Sequence, residues 1–172
     1  MSNCLFCDSY QTWSQHGNIL TERPNLYSIL SITPASPGQA IIVPKAHVET
    51  MKSLDTAVYG TLFTFVEETF EALIQRYYQN PEGIERLREF YRKLSVDENV
   101  KPNFREMNAA MLLEEAHLEV KPLDYNLGMN KGDCAGQSQE HLHIHLFPRR
   151  NVGNTKGIVT AMGRLLGTYK RK

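Results

Sequence analysis

YNLGMNKGDCAGQSQEHLHIHLFPRR, residues 125–150, is the stretch whose pattern decides how this chain folds. Near its end, His141, His143 and His145 alternate with Leu142, Ile144 and Leu146. That strict period of two marks a half-buried β-strand, with one face in a hydrophobic core and three imidazoles on the other. A lone histidine is ordinarily a satisfied core or surface residue. Three on one strand face compete for protons and gain nothing as packing, so they point to chemistry. Strand residues i and i+2 lie ~6.6 Å apart and i and i+4 about 13 Å. Two neighbouring imidazoles can lean onto one metal with bonds of ~2 Å, but all three cannot without breaking the strand. At least one therefore serves another purpose, and a neutral imidazole with a free ring nitrogen is a good nucleophile or proton shuttle.

Working upstream, residues 126–129 alternate again, and Gly132, Asp133 and Gly136 signal a turn. Residues 125–130 and 140–147 are thus predicted to form an antiparallel pair. Asn130, Gln137 and Ser138 bring uncharged donors towards the histidine face, a composition that suits phosphate oxygens.

The whole chain has 172 residues, which suits one domain over 1–172 with a single core. Its 19 basic and 19 acidic residues balance, arguing against bulk nucleic-acid or membrane-surface binding. No apolar run is long enough to span a bilayer, and no signal-peptide pattern opens the sequence. The three cysteines do not suggest a secreted disulfide framework, so a cytoplasmic protein is expected. Cys4-Leu-Phe-Cys7 alone is compatible with redox chemistry, structural zinc or accident; two further ligands would favour zinc, and His47 and His141 are candidates.

Residues 13–23 read as polar and irregular, with His16 in an exposed loop. Strands are expected at 26–32 and 40–43, joined by a turn marked by Pro34, Pro37 and Gly38. A long helix over 53–79 carries Val58, Leu62, Phe65, Val66, Phe70, Leu73 and Tyr77 at helical spacing. Asn80-Pro81 stops it and starts a second helix lined by Ile84, Leu87, Tyr91 and Leu94. A charged linker covers 95–103, and a third helix over 104–117 places Met107, Met111 and Leu112 on one side. Pro148 is expected to end the histidine strand. Arg149 or Arg150 could approach substrate phosphates, and a short helix is expected at 158–166.

Ala135-Gly136-Gln137-Ser138, two residues, then His141-Leu-His143-Ile-His145-Leu-Phe-Pro-Arg resemble the signature of the histidine triad (HIT) family of nucleotide hydrolases and transferases. The similarity extends back to Asn130 and covers most of the chain outside residues 80–119. It implies an α+β fold, a meander of mainly antiparallel strands with the long helix packed on the sheet, here with a helical insertion at about 80–119. The activity implied is cleavage at the α-phosphate of a nucleotide derivative through a nucleotidyl-histidine intermediate. A transferase or phosphorylase, or a nucleotide-binding protein without turnover, are the alternatives. By the same resemblance, His143 is the nucleophile, His145 contacts phosphate or bridging oxygens, and Asn130 and Ser138 steady their charge. Gln137 supports the turn or the phosphate site.

Ser31, Ile32 and Gln39 fall in a segment similar to the family's nucleotide-contacting hairpin. Here Ser31 stands where an acidic residue or asparagine is usual, and Gln39 where a histidine is common. The resemblance further implies a structural zinc on Cys4, Cys7, His47 and His141, with no organic cofactor and no catalytic metal. It also implies a nucleotide as substrate and a possible homodimer formed through helix and sheet. The 80–119 segment is expected to be solvated, helical and dispensable for the chemical step, with a lid or docking surface as the alternative.

Overall fold

A computed structural model of the chain describes residues 4–15, 17–98 and 109–151. Its centre is a five-stranded antiparallel sheet in the order β1-β2-β3-β5-β4. The strands are β1 (Ile19–Glu22), β2 (Leu26–Leu30), β3 (Ala40–Pro44), β4 (Asp124–Gly128) and β5 (Ile144–Arg149). Helix α1 (Leu5–Gln15) precedes the sheet. Helices α2 (Thr56–Tyr77), α3 (Gly83–Val96) and α4 (Ala110–Leu113) lie between β3 and β4. The protein is α+β, as its sequence leads one to expect. Among the described residues, no helix is long and apolar enough to cross a membrane.

Both faces of the central strands are covered, and this explains why β2 and β3 are buried at every position. One face sends Leu26, Leu30, Ala40, Ile42 and Leu146 into a large core with α2 and α3. The other sends Tyr27, Ile29, Ile41 and Val43 against Cys4, Phe6 and Trp13 of the N-terminal segment. Side chains alternate along a strand, so consecutive residues feed opposite layers. The α2 contacts follow the expected stripe, with Val58, Leu62, Phe65, Val66, Leu73 and Tyr77 buried, joined by Thr69 and Ile74. Asp55 caps this helix by accepting from the Ala57 amide at 2.8 Å.

Several expectations need correction. Residues 13–23 are not irregular: Trp13 is buried in α1, and 19–22 form the edge strand β1. The missed signal is Phe6, Tyr10 and Trp13, which recur at steps of four and three, a helical apolar stripe. Asn80 does not start α3 directly. Its side chain accepts from the Glu82 amide at 3.0 Å and its carbonyl from Gly83 at 2.9 Å, so a turn precedes the helix. Within the described part of 104–117 only Ala110–Leu113 is α-helical, and Met111 points outward while Leu112 is buried. Pro148 does not end β5 but pairs with Tyr125 inside it. His16, Met107 and the expected helix at 158–166 lie outside the described residues.

The junction between α2 and α3 is tight. A Cβ on Gly83 would lie 2.5 Å from the Tyr77 carbonyl oxygen and 2.6 Å from that of Arg76, both fixed backbone atoms. Alanine's helix propensity would gain at most ~1 kcal/mol, whereas overpacking typically costs ~1–3 kcal/mol. Gly83→Ala should therefore lower the unfolding free energy by about 1–2 kcal/mol in urea titrations. An unchanged or raised midpoint would show that the junction has room to relax.

Candidate functional site

The three histidines lie along one side of the sheet, on the face that α1 covers. Only His145 sits within the ladder, paired with Ile41 of β3 and Gly128 of β4. His141 and His143 precede it, because the Leu142 amide donates to the Val48 carbonyl at 2.6 Å and draws the segment towards the loop after β3. Leu142 and Leu146 are buried and Ile144 is half-buried on the opposite face, as the alternation requires. His143 and His145 meet edge to face at 4.9 Å, and Phe6 of α1 stands 5.0 Å from His143 and 5.7 Å from His141. Phe6 is a site residue that the triad pattern cannot announce.

Hydrogen bonds assign the ring protons. The His143 Nδ1–H donates to the His141 carbonyl at 2.8 Å, which leaves Nε2 with its lone pair. His145 is held in the opposite sense. Gln39 Oε1 accepts from the Ala35 amide at 2.6 Å, so its Nε2 faces His145 Nδ1 at 3.3 Å. A carboxamide nitrogen can only donate, so His145 Nδ1 accepts and the proton of the neutral ring sits on Nε2. Burial lowers the pKa of His143, and burial together with the neighbouring His143 lowers that of His145 to about 4. Both rings are therefore neutral near pH 7.

His141 is bound differently. Its Nε2–H donates to the Pro44 carbonyl at 2.9 Å, which turns Nδ1 towards Cys4 Sγ at 3.3 Å and Cys7 Sγ at 3.4 Å. His47 Nδ1 lies 3.4 Å from Cys7 Sγ, and the four ligand atoms are all within 4.8 Å of one another. Metal bonds of ~2.3 Å to sulfur and ~2.0 Å to nitrogen separate tetrahedral ligands by roughly 3.3–3.8 Å. The cluster fits a metal ion. A backbone partner on the far nitrogen of a histidine is also the arrangement that orients metal-bound imidazoles.

The remaining expected site residues divide. Asn130 lies half-buried two residues beyond Gly128, where the β4–β5 pairing ends opposite His145. Ser138 is exposed in the loop between β4 and β5. Gln137 braces that loop: its Oε1 accepts from the Gly132 amide at 2.8 Å, while its Nε2 donates to the carbonyls of Gln139 and Glu140. Ser31 and Gln39 are buried side by side at the end of the β2–β3 hairpin, with Ile32 half-buried beyond them. Ser31 Oγ accepts from the Thr33 amide at 3.2 Å.

Arg150 is not available to substrate. It is buried on the opposite face, donating to the carbonyls of Val120 and Pro37 at 2.7 and 3.1 Å and to the Tyr78 hydroxyl at 2.5 Å. Arg149 stays on the triad side, level with Asp124.

A HIT domain model matches residues 14–152. The chain belongs to the HIT family. The Bacillus subtilis protein called Protein hit is 24% identical over 157 residues, covering 91% of this chain and 78% of that protein. AP-4-A phosphorylase of Mycobacterium tuberculosis is 22% identical over 159 residues, covering 92% of this chain. The chain spans only 58% of the length of that enzyme. Among solved structures, a Bacillus anthracis HIT family protein has a TM-score of 0.53 at 19% identity, covering 97% of this chain and 92% of its own. A Bacillus subtilis member of the family reaches 0.54 at 16% identity, with 99% of each chain covered. At these identities the structural likeness establishes the fold.

The depressed His145 pKa carries a signed consequence for stability. Its folded value of about 4 lies below the ordinary 6.5, so between these values the unfolded chain binds more protons. The histidine's contribution is whole above pH 6.5 and is lost as the pH falls towards 4. In urea titrations across this window, wild type should lose stability relative to His145→Asn. A difference between the two that stays constant with pH would refute the assignment.

Proposed function

We propose that the protein cleaves nucleotide derivatives at the α-phosphate through a covalent intermediate on His143. Two hydrogen bonds carry this reading: adjacent neutral histidines are held in opposite tautomers, one offering a lone pair and the other a proton. His143 Nε2 attacks phosphorus. A nitrogen–phosphorus bond forms as the bond to the leaving-group oxygen (or nitrogen, in a phosphoramidate) breaks, and the leaving group departs with the bond electrons. The His141 carbonyl, bonded to Nδ1–H, takes up part of the positive charge that develops on the ring. His145 Nε2–H donates to a phosphate or bridging oxygen. Asn130 and Ser138 supply uncharged donors to the remaining oxygens, steadying charge that is spread over all of them. An acceptor then attacks the phosphorus, the nitrogen–phosphorus bond breaks, and His143 is regenerated.

Water as acceptor makes the protein a hydrolase releasing a nucleoside monophosphate. Phosphate as acceptor makes it a phosphorylase releasing a nucleoside diphosphate, a second reading favoured by the name of the mycobacterial relative. Ser31 and Ile32 are assigned to the nucleoside. Gln39, with both ends of its carboxamide engaged, is assigned chiefly to His145.

We assign zinc to the Cys4, Cys7, His47 and His141 cluster, because two thiolates and two imidazoles form a closed, soft tetrahedral set. Its service is structural, tying α1 and the loop after β3 to the start of the triad segment. Purified protein should carry about one zinc per chain. Cys4→Ser with Cys7→Ser should lose both the metal and part of the thermal stability. A double variant that keeps its metal and its melting temperature would sink the assignment.

The reaction is tested with diadenosine polyphosphates, nucleoside phosphoramidates, aminoacyl-nucleotides and nucleotide sugars, each with and without inorganic phosphate. Chromatography of the products separates monophosphate from diphosphate. His143→Asn should reduce turnover by at least ~10³, about 4 kcal/mol, while nucleotide binding survives. Labelled substrate should leave an acid-labile, base-stable adduct on wild type and none on the variant. Near wild-type turnover by His143→Asn would overturn the mechanism.

A further inference from the structure

The β2–β3 hairpin that holds Gln39 is itself held from outside the sheet, by helix α3. Tyr91 of α3 is fully buried, and its hydroxyl accepts from the Gly38 amide at 2.7 Å. Gly38 has φ of +79°, a left-handed conformation that disfavours any other residue, and a Cβ placed there would meet the Leu73 and Pro148 side chains at 3.4 and 3.5 Å. Arg150 secures the preceding carbonyl, donating to Pro37 at 3.1 Å. The next residue is Gln39. Its amide donates to the Ser36 carbonyl at 3.1 Å and its carbonyl accepts from Ser31 at 2.8 Å, so its backbone is fixed on both sides. Its side chain then meets His145.

Phenylalanine would fill the space of the Tyr91 ring as well as tyrosine does. A buried hydroxyl carries a desolvation cost and is favoured where it satisfies a specific partner, here the Gly38 amide. Burial also raises the Tyr91 pKa, so the group stays a neutral hydroxyl.

We propose that α3, within the 80–119 segment, is a positioning element of the active site: Tyr91 sets the Pro37–Gly38 turn, and through Gln39 this turn holds His145 as an Nε2–H donor. The inference rests on the role given to His145 above, and it replaces the expectation that the segment is dispensable for the chemical step. Tyr91 acts through the turn, and the part that varies with it is the aim and tautomer of one imidazole. Because displacements of an ångström or less matter to group transfer, a loosened turn should show in the rate.

The test compares Tyr91→Phe with Val58→Ala, using full-length protein as purified. Val58 is a buried residue of α2 that lies fifteen positions from Leu73, roughly 22 Å along the helix axis, and calibrates loss of stability alone. The first readout is the set of long-range proton–nitrogen NMR correlations of the His145 ring, which reports the tautomer without any substrate. Wild type should show a single Nε2–H form, Tyr91→Phe a mixture, and Val58→Ala the wild-type pattern. On a substrate that wild type turns over, Tyr91→Phe should lower kcat about tenfold with KM within about twofold. Hydrogen exchange of the wild-type Gly38 amide should be slow, a measurement that stands even where Tyr91→Phe does not fold. The proposal is overturned by fast Gly38 exchange. It is equally overturned by an unchanged His145 ring in Tyr91→Phe, or by matching changes in Val58→Ala. Failure of wild type to process any nucleotide would count against the function proposed above and leave the ring spectra to decide this inference.

Discussion

Alternation along one strand, between two layers that both demand to be filled, governs this molecule. The segment through β5 gives Ile144, Leu146 and Pro148 to the α2 and α3 side, where the buried Arg150 reaches Tyr78. His145, Phe147 and Arg149 are thereby given to the α1 side, and His141 and His143, which precede the ladder, meet Phe6 of α1 there. A shift of one residue would drive the imidazoles among the aliphatic side chains of the α2 layer and turn the aliphatic residues onto the α1 face, so the register is strongly fixed. The chemistry of the site is a by-product of that packing. Once the leucines are in place, the histidines have nowhere else to go.

Backbone carbonyls then distribute the protons. Pro44 takes the Nε2–H of His141, and the His141 carbonyl takes the Nδ1–H of His143. A side-chain amide rather than a carbonyl faces His145, and that single change of partner reverses which nitrogen is protonated. Three chemically identical side chains in one row thus meet three different sets of partners, and the roles of ligand, nucleophile and donor proposed above follow from those partners. Burial reinforces the division by lowering all three pKa values, so that none is charged at neutral pH.

Much of this was legible in the sequence because it rests on local period. The alternation around His143, the stripe of α2 and the turn residues before Gln39 each report geometry that neighbouring residues enforce. The four-residue cluster that could hold a metal, scattered from Cys4 to His141, had its candidates in the sequence, but only the family's pattern joined them into one set. What stayed hidden depends on distant partners. Nothing near Arg150 announces that its guanidinium is spent on Pro37, Val120 and Tyr78, since an arginine after a strand is usually solvent-facing. Likewise β1 has only four residues, too few for alternation to stand out, and its pairing with β2 supplies what local propensity lacks. Pro148 is tolerated inside β5 although a proline normally signals a strand's end.

The two attachments of α3 also set where this fold can grow. Its first residue is pressed onto the last carbonyls of α2, and two turns later Tyr91 is pinned to the hairpin. Length added before Gly83 or between Gly83 and Tyr91 would break one anchor or rotate the other out of reach. Beyond Val96 neither anchor is disturbed. That downstream side is where a relative could add length, or an engineer splice in a reporter, while both anchors of α3 stay in place.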